Sequence, residues 1–374
     1  MKINIASSGG RSHVMDLAIE LEKHGHEVNF YSYVPTNRAL KYGLKRKCSK
    51  SYFILALPFL VLLKITNRAH WVLFLYHYCF DIITAWIMKP CDVFIGLSPM
   101  HVYVLKYVKK KYNATVILER GTSHVIEQVK VLKGNPALKG KNPMPNMFMK
   151  RDLAGYELAD YISIASNHVL QSFVKNNTSI QKIFVNPYGV NLSEFNATKL
   201  EDDEDVYDII MVGQWCHRKG CDFITEAINR MNVVKFLHVG PIVDMSFPVS
   251  DNMKHIDSVD QKELINYYKK SKIFVLPSRE EGLALVQLQA VVCGLPIVCS
   301  KFTGGRDLKE YIDDPKWIIE MPELTIDTLI TCINQALKLS ETQKGKRSYS
   351  KNIAQELSWK GYGNRYNNFL LKIK

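Results

Sequence analysis

The sequence predicts an α/β protein built from two doubly wound parallel sheets that face a central cleft. The chain has 374 residues, enough for two cores at about 150 residues per domain. Short β-branched or aromatic runs alternate with helical stretches, the order expected of parallel strands joined by crossover helices. The alternation restarts after five consecutive acids, Glu201-Asp-Asp-Glu-Asp205. Such a run cannot pack against itself and reads as a solvated linker or loop.

In the first half, strands are expected at residues 2–6, 27–33, 93–97, 115–119, 161–165 and 182–185. Over residues 13–24 the apolar side chains Val14, Leu17, Ala18 and Leu21 recur at three and four residues, and Gly25 supplies the stop. In the second half, strands are expected at 208–213, 234–240, 273–278, 296–300 and 316–320. Residues 353–373 have the length and apolar spacing of a closing helix. The expected division is 1–190 for a first sheet domain, 191–352 for a second, and 353–374 for a closing helix that packs back on the first domain. In open α/β sheets ligands bind beyond the carboxyl ends of the strands, so the chemistry belongs in strand-to-helix loops lining the cleft.

Hydrophobic residues make up 47% and charged residues 23%, which excludes collagen-like, low-complexity and wholly disordered chains. The formal charge is +13, and residues 1–180 hold 24 Lys+Arg against 11 Asp+Glu while the remainder holds 25 of each. The surplus points to an anionic partner: nucleic acid, an acidic membrane surface or a phosphorylated substrate. Nucleic acid ranks last, because the basic residues surround an apolar aromatic region without a nucleic-acid motif. Eight cysteines stand at positions 48, 79, 91, 216, 221, 293, 299 and 332 without C-x-x-C spacing, which argues against a disulfide scaffold or zinc site and fits a reducing cytoplasm. The first residues, MKINIASSGGR, reach Gly-Gly before a long apolar region and do not read as a signal peptide.

Residues 53–63 are apolar but interrupted by Pro58, and eleven residues fall short of the roughly 20 that span hydrocarbon. Lys41, Lys45, Arg46, Lys47 and Lys50 precede them, and Trp71, Phe74, Tyr76 and Tyr78 follow. Two readings stay open: a segment resting in an anionic lipid interface, or a buried helix with a solvated basic rim.

Three loops carry chemistry. Ser7-Ser-Gly-Gly-Arg-Ser-His13 joins the first strand to a helix, and its glycines would let an anion approach the helix start. It lacks the spacing of dinucleotide and P-loop motifs, and a plain tight turn is the competing reading. Val212-Gly-Gln-Trp-Cys-His-Arg-Lys-Gly220 sets Arg218 and Lys219 at the mouth of a helix, a site suited to a diphosphate. Ser278-Arg-Glu-Glu-Gly-Leu-Ala-Leu-Val-Gln-Leu-Gln289 follows a strand, so Glu280 or Glu281 is expected at a helix start. Residues 281 and 289 would then lie about 12 Å apart on one helix.

Taken together, these loops resemble retaining glycosyltransferases of family 4, which have the GT-B fold and use nucleotide-sugar donors. Further segments carry the likeness: Glu157-Leu-Ala-Asp-Tyr-Ile-Ser-Ile-Ala-Ser166, Lys182-Ile-Phe-Val-Asn-Pro-Tyr-Gly-Val-Asn191, Thr303-Gly-Gly-Arg306 and Leu357-Ser-Trp-Lys360. The resemblance implies that Glu281 contacts donor sugar hydroxyls and that Lys219 binds the diphosphate with help from Arg218. It also puts Gly213, Gln214, Gly282, Ala284, Leu285, Val286 and Gln289 around the donor. Gly9, Gly10, Arg11, His13 and Arg120 fall on the acceptor side, and His124 lies near the family's sugar-contacting histidine. The chain departs from the pattern at Gln289, where the family has a ribose-binding glutamate, and at Gln214, where it has an arginine.

The resemblance implies retention, an acceptor-binding first domain and a nucleotide-sugar-binding second domain. The sequence itself offers no convincing metal cluster, so no metal or cofactor is expected, and Lys219, Arg218 and the helix start near residue 284 are expected to neutralise the departing diphosphate as fixed charges. The acceptor is expected to be a glycan, lipid-linked, used in polysaccharide or glycolipid assembly by a cytoplasmic enzyme peripheral on the membrane's inner face. Two alternatives stay open: an inverting transferase using His13 as base, and a catalytically silent binding or membrane scaffold.

Overall fold

A computed structural model describes residues 1–10, 12–136, 144–195, 206–343 and 351–373. Arg11 and the acid run 201–205 lie outside the described residues.

The first domain runs β1 (Lys2–Ser7), α1 (His13–Lys23), β2 (Glu27–Ser32), α2 (Thr36–Lys41), β3 (Ser49–Ser51), α3 (Phe53–Ile65), α4 (His70–Ile87) and β4 (Val93–Leu97). It continues through α5 (Tyr103–Tyr112), β5 (Thr115–Arg120), α6 (Val125–Lys133), α7 (Asn146–Leu158), β6 (Tyr161–Ile164), α8 (Asn167–Lys175) and β7 (Ile183–Val185). All pairings are parallel, in the order β3-β2-β1-β4-β5-β6-β7. Ile3 and Ile5 on β1 are buried and pair with Val28 and Phe30 on one side and Val93 and Ile95 on the other, as apolar runs covered on both faces require.

The second domain runs β8 (Tyr207–Val212), α9 (Cys221–Met231), β9 (Phe236–Val239), β10 (Met253–Ile256), α10 (Gln261–Lys269), β11 (Ser271–Leu276), α11 (Leu285–Val292), β12 (Ile297–Ser300), β13 (Ile318–Met321) and α12 (Ile326–Thr342). Its sheet is also parallel, in the order β10-β9-β8-β11-β12-β13. In each sheet the order reverses once, between β1 and β4 and between β8 and β11. At such switch points neighbouring loops leave in opposite directions and open a crevice for a ligand.

The sequence missed β3 and β10, edge strands of three and four residues too short to display a period. The expected strands at 182 and 316 begin later, after 3-10 turns at Ile180–Lys182 and Pro315–Trp317. The expected single closing helix is two, α13 (Lys351–Glu356) and α14 (Trp359–Lys372). The break has a cause: Ser358 accepts the Gly361 N–H at 3.0 Å as an N-cap, and the Leu357 carbonyl accepts the Val190 N–H at 2.7 Å. α14 lies on α1, and His24 and His26 meet Asn364 and Asn367 at 3.0 and 2.8 Å. α3 is at the surface, with only Ala56 and Leu63 buried, so the buried-helix reading of residues 53–63 does not hold.

Candidate active site

The switch point of the second sheet brings two loops together. Leaving β8, the chain turns at Gly213, makes a 3-10 turn at His217–Lys219 and enters α9 through Gly220. Gly220 has φ +75°, and a Cβ there would strike the Pro277 carbonyl oxygen, so glycine alone lets this turn lie against the loop after β11. The two loops are also clamped by polar contacts. The Arg279 N–H donates to the Arg218 carbonyl at 2.8 Å, and the Arg279 guanidinium grips both Asp222 oxygens at 2.6 Å.

Lys219 Nζ donates to Glu281 Oε2, and Arg218 Nη1 reaches the same oxygen at 3.1 Å and the Glu280 carbonyl at 3.0 Å. Burial alone would raise the Glu281 carboxyl, but the Lys219 and Arg218 charges outweigh it and hold the group below its ordinary range. Burial would weaken the Arg218 cation, and Glu281 and Glu280 more than restore it. Glu281 is not at a helix start. Its N–H donates to the Phe302 carbonyl at 3.2 Å and it pairs with Thr303 in a one-residue bridge. That extended pairing delays α11 to Leu285, with Ala284 at its N-cap, so the two-turn helical spacing from 281 to 289 does not apply. Gly282 lies between, Leu285 and Val286 form the first helical turn, and Gln289 is buried, accepting the Tyr268 hydroxyl at 3.3 Å. Gln214 is exposed.

Glu280 reaches across to the first domain. Its Oε1 accepts the Ser123 N–H at 3.1 Å and its Oε2 accepts Gln128 Nε2 at 3.2 Å. A Cβ on Gly282 would strike the Gly121 carbonyl, so the backbones of the two domains nearly touch here. Arg120 and His124 are brought near this seam but turned inward. Arg120 donates to Asp152 at 3.0 Å, to Gln128 at 2.8 Å and to the Ser123 carbonyl. His124 is buried against Tyr156 and Phe173, and its Nδ1 caps α6 by accepting the Ile126 N–H. Burial, reinforced by the Arg120 charge, pushes its imidazole down to about 4.

On the facing side, the loop after β1 carries Gly9 and Gly10. Among the described residues nothing lies within 4 Å of where a Gly10 Cβ would stand, so packing does not demand glycine there. Ser8 just before it is held from α4: the Tyr76 hydroxyl donates to the Ser8 carbonyl at 2.7 Å, and His77 Nδ1 meets Ser8 Oγ at 2.7 Å. His13 Nε2 stands 3.1 Å from Glu119 Oε2, and Tyr366 donates to the other Glu119 oxygen at 2.8 Å. A crevice of about 180 Å³ is shared by the two domains, with Ser12, His13 and Asp16 on one wall and Leu285 and Gln289 on the other. Among the described residues no three His, Cys, Asp or Glu side chains group as a metal ion would need.

Sequence reasoning missed the roles of Glu119, Glu280, Ser8 and His77. Their partners lie 68 to 247 residues away, and neither spacing nor periodicity signals a contact of that range.

Residues 193–353 match the family described as Glycosyl transferases group 1. A relative from Methanocaldococcus jannaschii, named as an uncharacterized glycosyltransferase, is 23% identical over 166 residues, covering 42% of this chain and 47% of that protein. The GDP-mannose-dependent monoacylated alpha-(1-6)-phosphatidylinositol monomannoside mannosyltransferase of Corynebacterium glutamicum is 22% identical over 240 residues, covering 56% of this chain and 62% of that protein. The chain thus spans less than two thirds of the length of either curated relative. The crystal structure of Anabaena Alr3699/HepE in complex with UDP-glucose superposes over all of both chains with a TM-score of 0.68 at 11% identity, a likeness of fold. Residues 193–353 thus match the glycosyl transferases group 1 family, and with the first sheet the chain forms two parallel-sheet, Rossmann-like α/β domains in the same overall fold as the UDP-glucose complex.

Proposed function

We propose that this chain is a retaining glycosyltransferase that moves a sugar from a nucleoside-diphosphate donor to a lipid-linked glycan acceptor, in cell-surface polysaccharide or glycolipid assembly. The observation that carries the reading is the convergence of Lys219 and Arg218 on one oxygen of Glu281 in the loops that follow β8 and β11. In this reading the donor diphosphate takes the two cations, and the released Glu281 carboxylate accepts hydrogen bonds from the sugar hydroxyls. Leu285 and Val286 offer backbone N–H groups from a helix start, where no intrahelical acceptor exists. Gln289 accepts from the nucleoside through its amide oxygen, and Gln214 lies at the exposed rim. Gly213, with open space among the described residues where a side chain would stand, leaves room for the donor, Gly282 lets the Glu281 loop lie against the first domain, and Arg120 and His124 stiffen the seam from within.

As the sugar leaves, negative charge grows on the outer phosphate, and fixed cations stabilise it without reorganisation. Hydrogen bonds to charged groups contribute about 1.5–3 kcal/mol each. The acceptor would lie by Gly9, Gly10, Arg11 and His13, at a cytoplasmic membrane face. The deciding experiment offers purified protein a panel of nucleoside-diphosphate sugars, with and without a chelator, and follows transfer. Transfer that survives chelation and fails in Lys219→Ala supports the reading. Full activity in that variant, or loss on chelation, overturns the metal-free electrostatic account, and absence of both transfer and donor hydrolysis favours a silent scaffold.

One observation favours a second reading. The His13–Glu119 pair beside the shared crevice has the form of an oriented base. An inverted anomeric configuration in the product, read by NMR, would select it over retention.

A further inference from the structure

Helix α3 presents a conflict between composition and environment. Its sequence, FILALPFLVLLKI, is apolar on every side apart from Lys64, a pattern that belongs to helices buried all round. Yet Ile54 is 78% exposed, Val61 59%, Ile65 75% and, at the start of α4, Trp71 52%. Leu57 and Leu75 extend the same face. A continuous apolar surface of this kind is characteristic of an interface.

The charge around it identifies the partner. From Val28 to Phe80 the chain contains eight Lys or Arg and not one Asp or Glu. Lys64 and Arg68 are exposed at the junction of α3 and α4, placed to extend their stems over the apolar face while their charges meet phosphate. A second copy docking by the same face would bring these cations against themselves, because a two-fold contact is self-complementary. An anionic bilayer meets both demands. Thirteen residues make a helix about 20 Å long, and among the described residues no helix is long and apolar enough to cross a membrane. The hairpin therefore lies in the interface plane, where exposed Trp71 and Tyr78 are aromatic residues of the type favoured at headgroup level.

We propose that the α3–α4 hairpin docks the protein on an anionic lipid surface, and that α4 fixes the acceptor loop relative to that surface. The second half of the proposal rests on the lipid-linked acceptor reading. Helix α4 carries exposed Trp71, Leu75 and Tyr78 on one side, and on the other Tyr76 and His77, which hold Ser8 immediately before Gly9. The lipid-facing side chains and the acceptor loop are thus mounted on one rigid element.

The test is flotation of the full chain with vesicles of phosphatidylcholine alone or mixed with phosphatidylglycerol. The protein is expected to float with the anionic vesicles at low salt and to be released as salt rises. The variant Ile54→Ser/Val61→Ser/Ile65→Ser should lower the bound fraction at least about tenfold, and Lys64→Glu/Arg68→Glu should abolish the preference for the anionic vesicles. Both variants should keep the wild-type unfolding temperature and the wild-type rate on a water-soluble acceptor fragment. Wild type that stays with the unbound fraction at low salt, or variants that float like it, would overturn the docking. So would a concentration-dependent dimer dispersed by the same substitutions, which would assign the face to a second copy. Flotation without sugar transfer would leave docking intact and defeat the proposed function, and transfer without flotation would do the reverse.

Discussion

Lys219, at the end of the turn after β8, donates to Glu281 Oε2 across 62 residues of sequence, and the pair is almost closed to solvent. A buried ion pair of this kind contributes little net stability when intact and is costly when one partner is removed. Its value lies in keeping two charges ready for a ligand that exchanges with one of them.

Removing the cation should therefore harm turnover more than fold. Lys219→Ala is expected to slow transfer by about ten- to a hundredfold or more, the rate equivalent of one charged hydrogen bond. Arg218 remains on Glu281 and limits the loss of stability. Steady-state kinetics beside thermal unfolding separates the two effects, and a variant that unfolds outright would contradict the assignment.

Removing the carboxylate has the opposite signature. Glu281→Gln should lose turnover by a similar factor yet bind the nucleoside diphosphate at least as tightly, because both cations are freed for phosphate. Calorimetry with the diphosphate alone checks this. Weaker binding would mean that Glu281 does not compete with the ligand for Lys219 and Arg218.

Glu280 ties the domains together, so Glu280→Ala leaves the Ser123 N–H and the Gln128 amide without their acceptor. Loss of stability of about 1–3 kcal/mol is expected from such an unsatisfied buried group, together with slower transfer, since the loop that carries Glu281 loses its brace. Denaturant titration and kinetics on one preparation test both.

Acid should destabilise the protein in a defined window. Burial, the largest cause at each, holds His77, His101, His124, His168 and His238 down to about 4, against an ordinary 6.5. The unfolded chain takes up these protons near 6.5 and the native one only near 4, so between those values the unfolded state binds more protons. Stability is full above about pH 6.5 and declines towards pH 4. Unfolding midpoints across that range should fall with acid, and less so in His124→Gln. A flat profile would contradict the burial of these rings.

Gly220→Ala should destabilise by more than about 1 kcal/mol, because a side chain is strained at φ +75° and its Cβ would strike Pro277. Gly10→Ala, with open space around it, should leave stability unchanged and weaken only ligand binding. Equal thermal shifts in the two variants would refute the distinction.

The periodicity of residues 13–24 and the β-branched runs were sufficient to give α1 and most strands, because these elements are set by which neighbours along the chain share a face. The linkage of Lys219 to Glu281 was legible only as a resemblance of motifs, and the inward turn of His124 and Arg120 was not legible at all. Those outcomes depend on the switch points of the two sheets, on Glu280 crossing the seam, and on α14 returning to α1. Local sequence fixes backbone preference within a few residues. Which side of α3 meets protein and which meets solvent is decided by contacts that form only once distant segments have packed.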